Sequence, residues 1–209
     1  MRDIILWVII SYFIGSIPTG WLVTKLFHRD ENGKRDHLDI RTIGSHATGA
    51  TNVRRAMGLG WAAFTAFVDM FKGAFTLLLA AGLSNYDDPE LLLSCCALAS
   101  VIGHNYTVWL NFKGGKGVAT TYGTLFFIWP YKSFAIILLC GAIWYAIMKK
   151  SRIVALASML SICAMPVFFW MLSAPHEITI TAAVLAVLCV FQCRENIIRM
   201  IDGTENRLS

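Results

Sequence analysis

The stretch that decides the class of fold is residues 4–27, "IILWVIISYFIGSIPTGWLVTKLF", whose only charged side chain is Lys25. An apolar run this long exceeds the roughly 20 residues needed to cross a bilayer. It is also too long for the core of a signal peptide. Gly15, Ser16, Pro18 and Gly20 punctuate it where a cleavage site would otherwise be sought. The run is therefore expected to stay in the mature protein.

The remaining chain repeats the theme. Of 209 residues, 56% are hydrophobic and 15% charged, and the mean hydropathy is +0.60. An ordinary soluble domain does not have this composition. Seven apolar segments are legible, at about 4–27, 57–83, 90–110, 117–129, 131–148, 153–172 and 177–193, with the fourth short for a full span. The expectation is one all-α, polytopic membrane domain covering residues 1–209. The six cysteines lie in or at the ends of these runs, without metal-ligand or disulfide spacing.

The net charge of +5 matters through its placement. Arg and Lys crowd 28–56, 113–116, 149–152 and 194–207, whereas 84–90, 130–132 and 173–177 hold few. Basic short loops stay on the cytoplasmic side. Seven crossings, with the N-terminus outside and the C-terminus inside, satisfy every loop. Such clustering argues against nucleic acid as a partner, and no internal repeat suggests an inverted-repeat transporter.

Three polar stretches fall on the inner side: "DIRTIGSHATGATNVRRAMG" (39–58), "GHNYTVWLNFKGGKGVAT" (103–120) and "CRENIIRMIDGTENRL" (193–208). In the second, Gly114, Gly115 and Gly117 surround Lys116 just ahead of a helix start at Val118. Glycine lets backbone approach a ligand closely, and free N–H groups at a helix start attract anions. The same lysines also suit a plain cytoplasmic turn. A Walker A loop is excluded because Gly117, not Ser or Thr, follows Lys116. In the first stretch Thr51 or Asn52 can cap a helix, with Arg54 and Arg55 near by. Asp69 and Lys72 stand at i, i+3 inside a membrane segment, as an ion pair or as ligand groups.

Chemistry can be narrowed by elimination. None of the five histidines lies in a zinc-protease spacing. None has Asp five residues on, which excludes the His-x-x-x-x-Asp acyltransferases, and no G-x-S-x-G elbow appears. What is left is a membrane-embedded, cationic site without a strong base. It suits a phosphorylated substrate and an already activated donor, with catalysis by positioning and charge stabilisation.

"GSIPTG" (15–20), "DMFKGA" (69–74), "RENIIRMIDGTE" (194–205) and the longer stretches above occur in an order that resembles the acyl-phosphate:glycerol-3-phosphate acyltransferase family, PlsY. The resemblance implies a bacterial inner-membrane enzyme with its active site facing the cytoplasm. It would move a fatty acyl group from acyl phosphate to the 1-hydroxyl of glycerol-3-phosphate, giving lysophosphatidic acid and phosphate, with no metal or cofactor. It also implies catalytic roles for Ser45, Arg55, Lys116, Ser158 and Asn196. Substrate-binding roles are expected for Asn52, Lys72, His104, Gly114, Gly115, Gly117 and Cys193, the glycines through their N–H groups.

Four positions depart from the family pattern. Ala47 replaces an asparagine, Cys193 a histidine, and Thr107 and Ala155 stand where proline and serine are commoner. His46, beside Ala47, is a candidate to restore a lost donor. A different phosphorylated alcohol as acceptor, simple acyl-phosphate hydrolysis, and anion transport without chemistry are the competing readings.

Overall fold

A computed structural model describes residues 2–208, and these are helical with connecting loops. The first apolar run is not one helix. It forms α1, Arg2–Gly15, and α2, Thr19–Phe27, separated at Ser16–Pro18. Proline has no N–H to donate and ends the ladder of α1. Backbone groups freed at membrane depth need protein partners. Here the Ser16 carbonyl accepts from Thr107 Oγ1 at 2.5 Å, and the Ile17 carbonyl accepts from Lys72 Nζ at 2.7 Å. Thr107 thus supplies a hydroxyl that a proline could not.

A loop leads to α3, Ala50–Met57, and α4, Leu59–Leu83. Next comes α5, Pro89–Asn105, capped by Asp88, whose carboxylate accepts from the Leu91 N–H at 3.0 Å. The short α6, Val118–Ile128, is followed by α7, Pro130–Ser151, and α8, Val154–Met171. The chain closes with α9, His176–Gln192, and α10, Arg194–Ile201, which meet at a 55° bend.

Among the described residues, five spans are long and apolar enough to cross a membrane: Asp3–Phe27, Leu59–Leu83, Pro89–Leu110, Pro130–Ser151 and Val154–Met171. The bent pair α9 and α10 makes a sixth if it counts as one. The fourth expected segment, α6, has only 11 residues. At 1.5 Å per residue it covers ~16 Å, about half the hydrocarbon thickness.

The helices touch where side chains are small. A Cβ on Gly103 of α5 would overlap the Tyr12 carbonyl of α1, and one on Gly123 of α6 would overlap the Met70 carbonyl of α4. Such contacts replace hydrophobic driving force between membrane helices. Inside lie Leu77, Val101, Leu125, Ile136, Phe169 and Leu185, all buried. Outward-facing Phe67, Leu138, Trp170 and Val187 are exposed, as lipid contact requires. These packings bring residues 45–47, 104–119 and 192–206 together around two cavities.

Candidate active site

Asn52, in the first turn of α3, organises the loop before it. Its Nδ2 donates to the carbonyls of Ile40 (2.9 Å), Ile43 (3.0 Å) and Ala47 (3.1 Å). Its Oδ1 accepts from the Ser45 N–H at 3.2 Å and from the Arg55 guanidinium at 3.4 Å. With both amide hydrogens held by the chain, Asn52 has no donor left for a ligand. The expected substrate contact is corrected to a positioning role, which sets Ser45 and Arg55. The same loop is pinned at its start by Asp39, which Arg41 holds at 2.7 Å. That guanidinium pulls the Asp39 pKa down to about 2. His46, at φ 56°, has Nδ1 at 2.8 Å from the Arg41 carbonyl; a carbonyl only accepts, so Nδ1 carries the hydrogen.

The glycine-rich loop differs from expectation in a specific way. The Gly114 N–H donates to the Asn105 carbonyl and the Gly115 N–H to the His104 carbonyl, each at 3.1 Å. These two amides therefore fasten the loop to the end of α5 and are not offered to an anion. The glycines serve closeness instead. A Cβ on Gly115 would overlap the His104 imidazole, and Gly117, at φ 75°, lies against the Asn105 amide. Gly117 is also the N-cap of α6, and no side chain caps that helix. The uncapped first turn, through Val118 and Ala119, borders a cavity.

Lys116 projects from this loop to Asn196 of α10, its ammonium donating to Oδ1. Asn196 Nδ2 in turn donates to Glu205 at 2.9 Å, and the other Glu205 oxygen accepts from Arg199 Nε at 2.8 Å. The tail after α10 folds back to make this possible, with the Thr204 and Glu205 N–H groups donating to the Arg199 carbonyl. Burial pushes the Lys116 pKa below the usual lysine value, while the Glu205 carboxylate pulls the other way. A dehydrated ammonium is more available to a phosphate than a hydrated one.

Lys72 is corrected as a substrate contact. Its ammonium touches three acceptors: the Ile17 carbonyl at 2.7 Å, Asp69 Oδ1 at 2.8 Å and His104 Nδ1 at 3.0 Å. Thr19 Oγ1 also donates to Asp69, at 2.8 Å. Three hydrogens and three partners leave nothing for a ligand. Cys193 is corrected as well: it is fully buried beneath the α9–α10 bend and lines neither cavity.

The two cavities, each about 380 Å³, share a wall of Ser45, Ala47, Lys116 and Asn196. One is polar, with Asn105, Lys113, Arg194, Glu195 and Arg199 around it. The other runs along α3, α4 and α8 past Leu59, Ala62, Ala66, Val118 and Val154. Arg55, His104 and Ser158 also line it. Ser158 Oγ accepts from Trp144 Nε1 at 3.1 Å, which leaves its own hydrogen for a ligand. Ser45, Arg55, Lys116, Ser158 and Asn196 are thus brought together around one cavity.

Three contributors escape a sequence reading. Glu205 and Trp144 orient Asn196 and Ser158, and the buried Asn105 amide has no partner among the described residues. Only the polarity of "GHN" and "GTEN" hints at two of them.

This arrangement has close parallels. The glycerol-3-phosphate acyltransferase family model matches residues 5–203. A Thermus thermophilus protein of that name is 40% identical over 202 residues, covering 96% of this chain and 92% of the relative. A Gloeobacter violaceus one is 37% identical over 201 residues, covering 95% and 91%. The solved structure of PlsY (YgiH), an integral membrane glycerol 3-phosphate acyltransferase, in its glycerol 3-phosphate form, superposes with a TM-score of 0.86. It is 34% identical, with 99% of this chain and 96% of that one covered. The lysophosphatidic acid form gives 0.83 at 33% identity, covering 99% and 95%. With its apolar spans, the chain is a multi-pass membrane protein.

Proposed function

The chain belongs to the glycerol-3-phosphate acyltransferase family, and from that premise we propose that it transfers a fatty acyl group from acyl phosphate to the 1-hydroxyl of sn-glycerol-3-phosphate. The products are lysophosphatidic acid and inorganic phosphate. The observation that carries this reading is the shared wall between a polar cavity and an apolar one. A water-soluble acceptor suits the first and a lipidic donor the second, and Lys116 reaches both. The glycerol 3-phosphate and lysophosphatidic acid forms of PlsY (YgiH) support the same assignment.

In this reading Lys116, Arg55 and the open first turn of α6 hold phosphate groups. Ser45, Ser158 and Asn196 orient the reactants and polarise the acyl carbonyl. The acceptor oxygen bonds to the acyl carbon, the acyl carbon–phosphate oxygen bond breaks, and the hydroxyl proton passes to the departing phosphate. Positioning and charge stabilisation then suffice. The chain is one domain of seven membrane segments, with α6 as a half-buried fourth. Its N-terminus is outside, and its site faces the cytoplasm of a bacterial inner membrane, as the basic loops favour.

Phosphate release from palmitoyl phosphate by the purified protein, with and without glycerol-3-phosphate, tests the reaction. Acceptor-dependent release with lysophosphatidic acid formed, and lost in Lys116→Ala, is the expected result. Acceptor-independent release would replace transfer by hydrolysis, and no release would remove the acyl-phosphate donor. Cysteine-accessibility labelling of loops 84–90 and 149–152 from the two sides tests the orientation.

A further inference from the structure

His104 sits at the end of α5 with two different surroundings for its two nitrogens. Nδ1 is 3.0 Å from Lys72 Nζ. An ammonium has no lone pair, so Lys72 can only donate and Nδ1 can only accept. The carboxylate of Asp69 lies 3.6 Å from the same nitrogen, beyond hydrogen-bond reach. It is instead taken up by Lys72 and Thr19. The ring is thereby neutral, with its one hydrogen on Nε2.

That Nε2 hydrogen has no acceptor among the described residues. The ring is 7% exposed, lines the apolar cavity and lies against Gly115. The cavity at this point is bordered by Lys116, Gly117 and the uncapped start of α6. A donor fixed in orientation, inside a cationic corner, matches an anionic oxygen. A lone donor left unpaired in such a place is destabilising unless a ligand completes it.

We propose that His104 is a catalytic residue of the proposed reaction: a neutral Nε2–H donor to a phosphate oxygen of the acyl donor, held in that tautomer by Lys72 and Asp69. It keeps its proton throughout. As the acyl carbon–oxygen bond breaks, charge grows on the departing phosphate, and this donor strengthens with it. Lys72 and Asp69 are positioning residues that act through the ring. Gly115 belongs to the same device, since any side chain there would displace the imidazole.

The inference rests on the acyl-phosphate reading, so the first measurement is independent of turnover. Histidine is labelled with 15N in the full-length protein in lipid nanodiscs, with His104→Gln to assign the resonance and inorganic phosphate as the probe. The expected spectrum at pH 7 shows a protonated Nε2 and a bare Nδ1, and saturating phosphate shifts Nε2. A proton on Nδ1, a doubly protonated ring, or an Nε2 unmoved by phosphate would overturn the proposal.

Activity supplies the second arm. His104→Ala lowers kcat/KM about a hundredfold. His104→Gln, whose amide N–H falls near Nε2, recovers most of that loss, whereas His104→Asn does not. Equal activity in all three, in a protein that does transfer acyl groups, removes His104 from the chemistry and leaves the family reaction standing. If the wild type transfers nothing, the donor assignment fails while the spectrum still decides the tautomer and the phosphate contact.

Discussion

Lys116 and Asn196, 80 positions apart in the chain, meet through a hydrogen bond from the ammonium to Oδ1. The link continues through Glu205 to Arg199, so the glycine-rich loop, α10 and the tail form one polar chain. Glu205→Gln keeps the shape and removes the charge. It is expected to lower kcat/KM about tenfold, the value of one charge-assisted hydrogen bond, with little change in expression. Unaltered kinetics would show that Asn196 needs no such support.

The pH profile should carry the mark of Lys116. Its pKa is lowered mainly by burial, and the charged form, present below that pKa, is the one that attracts phosphate. Activity is therefore lost as pH rises through a value below the ordinary lysine range. The quantity to follow is kcat/KM, which reports the free enzyme. An alkaline limb at or above 10.5, the ordinary lysine value, would mean that the ammonium is fully hydrated.

Breaking the Asp69–Lys72 pair should cost stability more than removing it. Lys72→Met strands a buried carboxylate and is expected to destabilise by about 3–5 kcal/mol. Asp69→Leu combined with Lys72→Met should regain part of this, because no charge is left unpaired. Thermal unfolding in detergent distinguishes the two, and a double variant weaker than the single one would contradict the assignment.

Two glycines make a matched comparison. Gly115→Ala places a methyl group on the His104 ring and should abolish most activity, whereas Gly141→Ala in α7 meets nothing within 4 Å and should leave it unchanged. Assays normalised to folded protein read the difference. Equal activities would mean that the loop can shift away from the ring.

His46 borders the polar cavity with its Nδ1 hydrogen already given to the Arg41 carbonyl. Only Nε2, the acceptor nitrogen in this tautomer, is left to face a ligand. His46→Ala should therefore lower kcat/KM for glycerol-3-phosphate, and unchanged turnover would remove His46 from the site.

Much of this protein is local in origin and could be read along the chain. Runs of apolar residues report membrane helices because each residue there meets lipid or another helix. The break at "GSIPTG" has a local cause too, a ring that lacks an N–H, although residues 4–27 read as one continuous segment. The cationic character of 112–120 and the pairing of Asp69 with Lys72 were likewise legible, the latter because i, i+3 residues share a helix face.

Partner choice was not legible, since it depends on which distant segments come within 3 Å. The glycine amides at 114 and 115 looked like anion donors, yet the end of α5 lies close enough to take them. Lys72 looked available until the Ile17 carbonyl at the α1–α2 break, the Asp69 carboxylate and the nitrogen of His104 filled its valences. Asn52 looked like a cap or a ligand contact and proved to be the anchor of residues 40–47. Composition and spacing settle which residues can bind an anion, because charge and backbone freedom belong to each residue. The crossing of α1, α4 and α5 settles which of them remain unpaired, because a hydrogen bond already made within the protein is no longer available to a substrate.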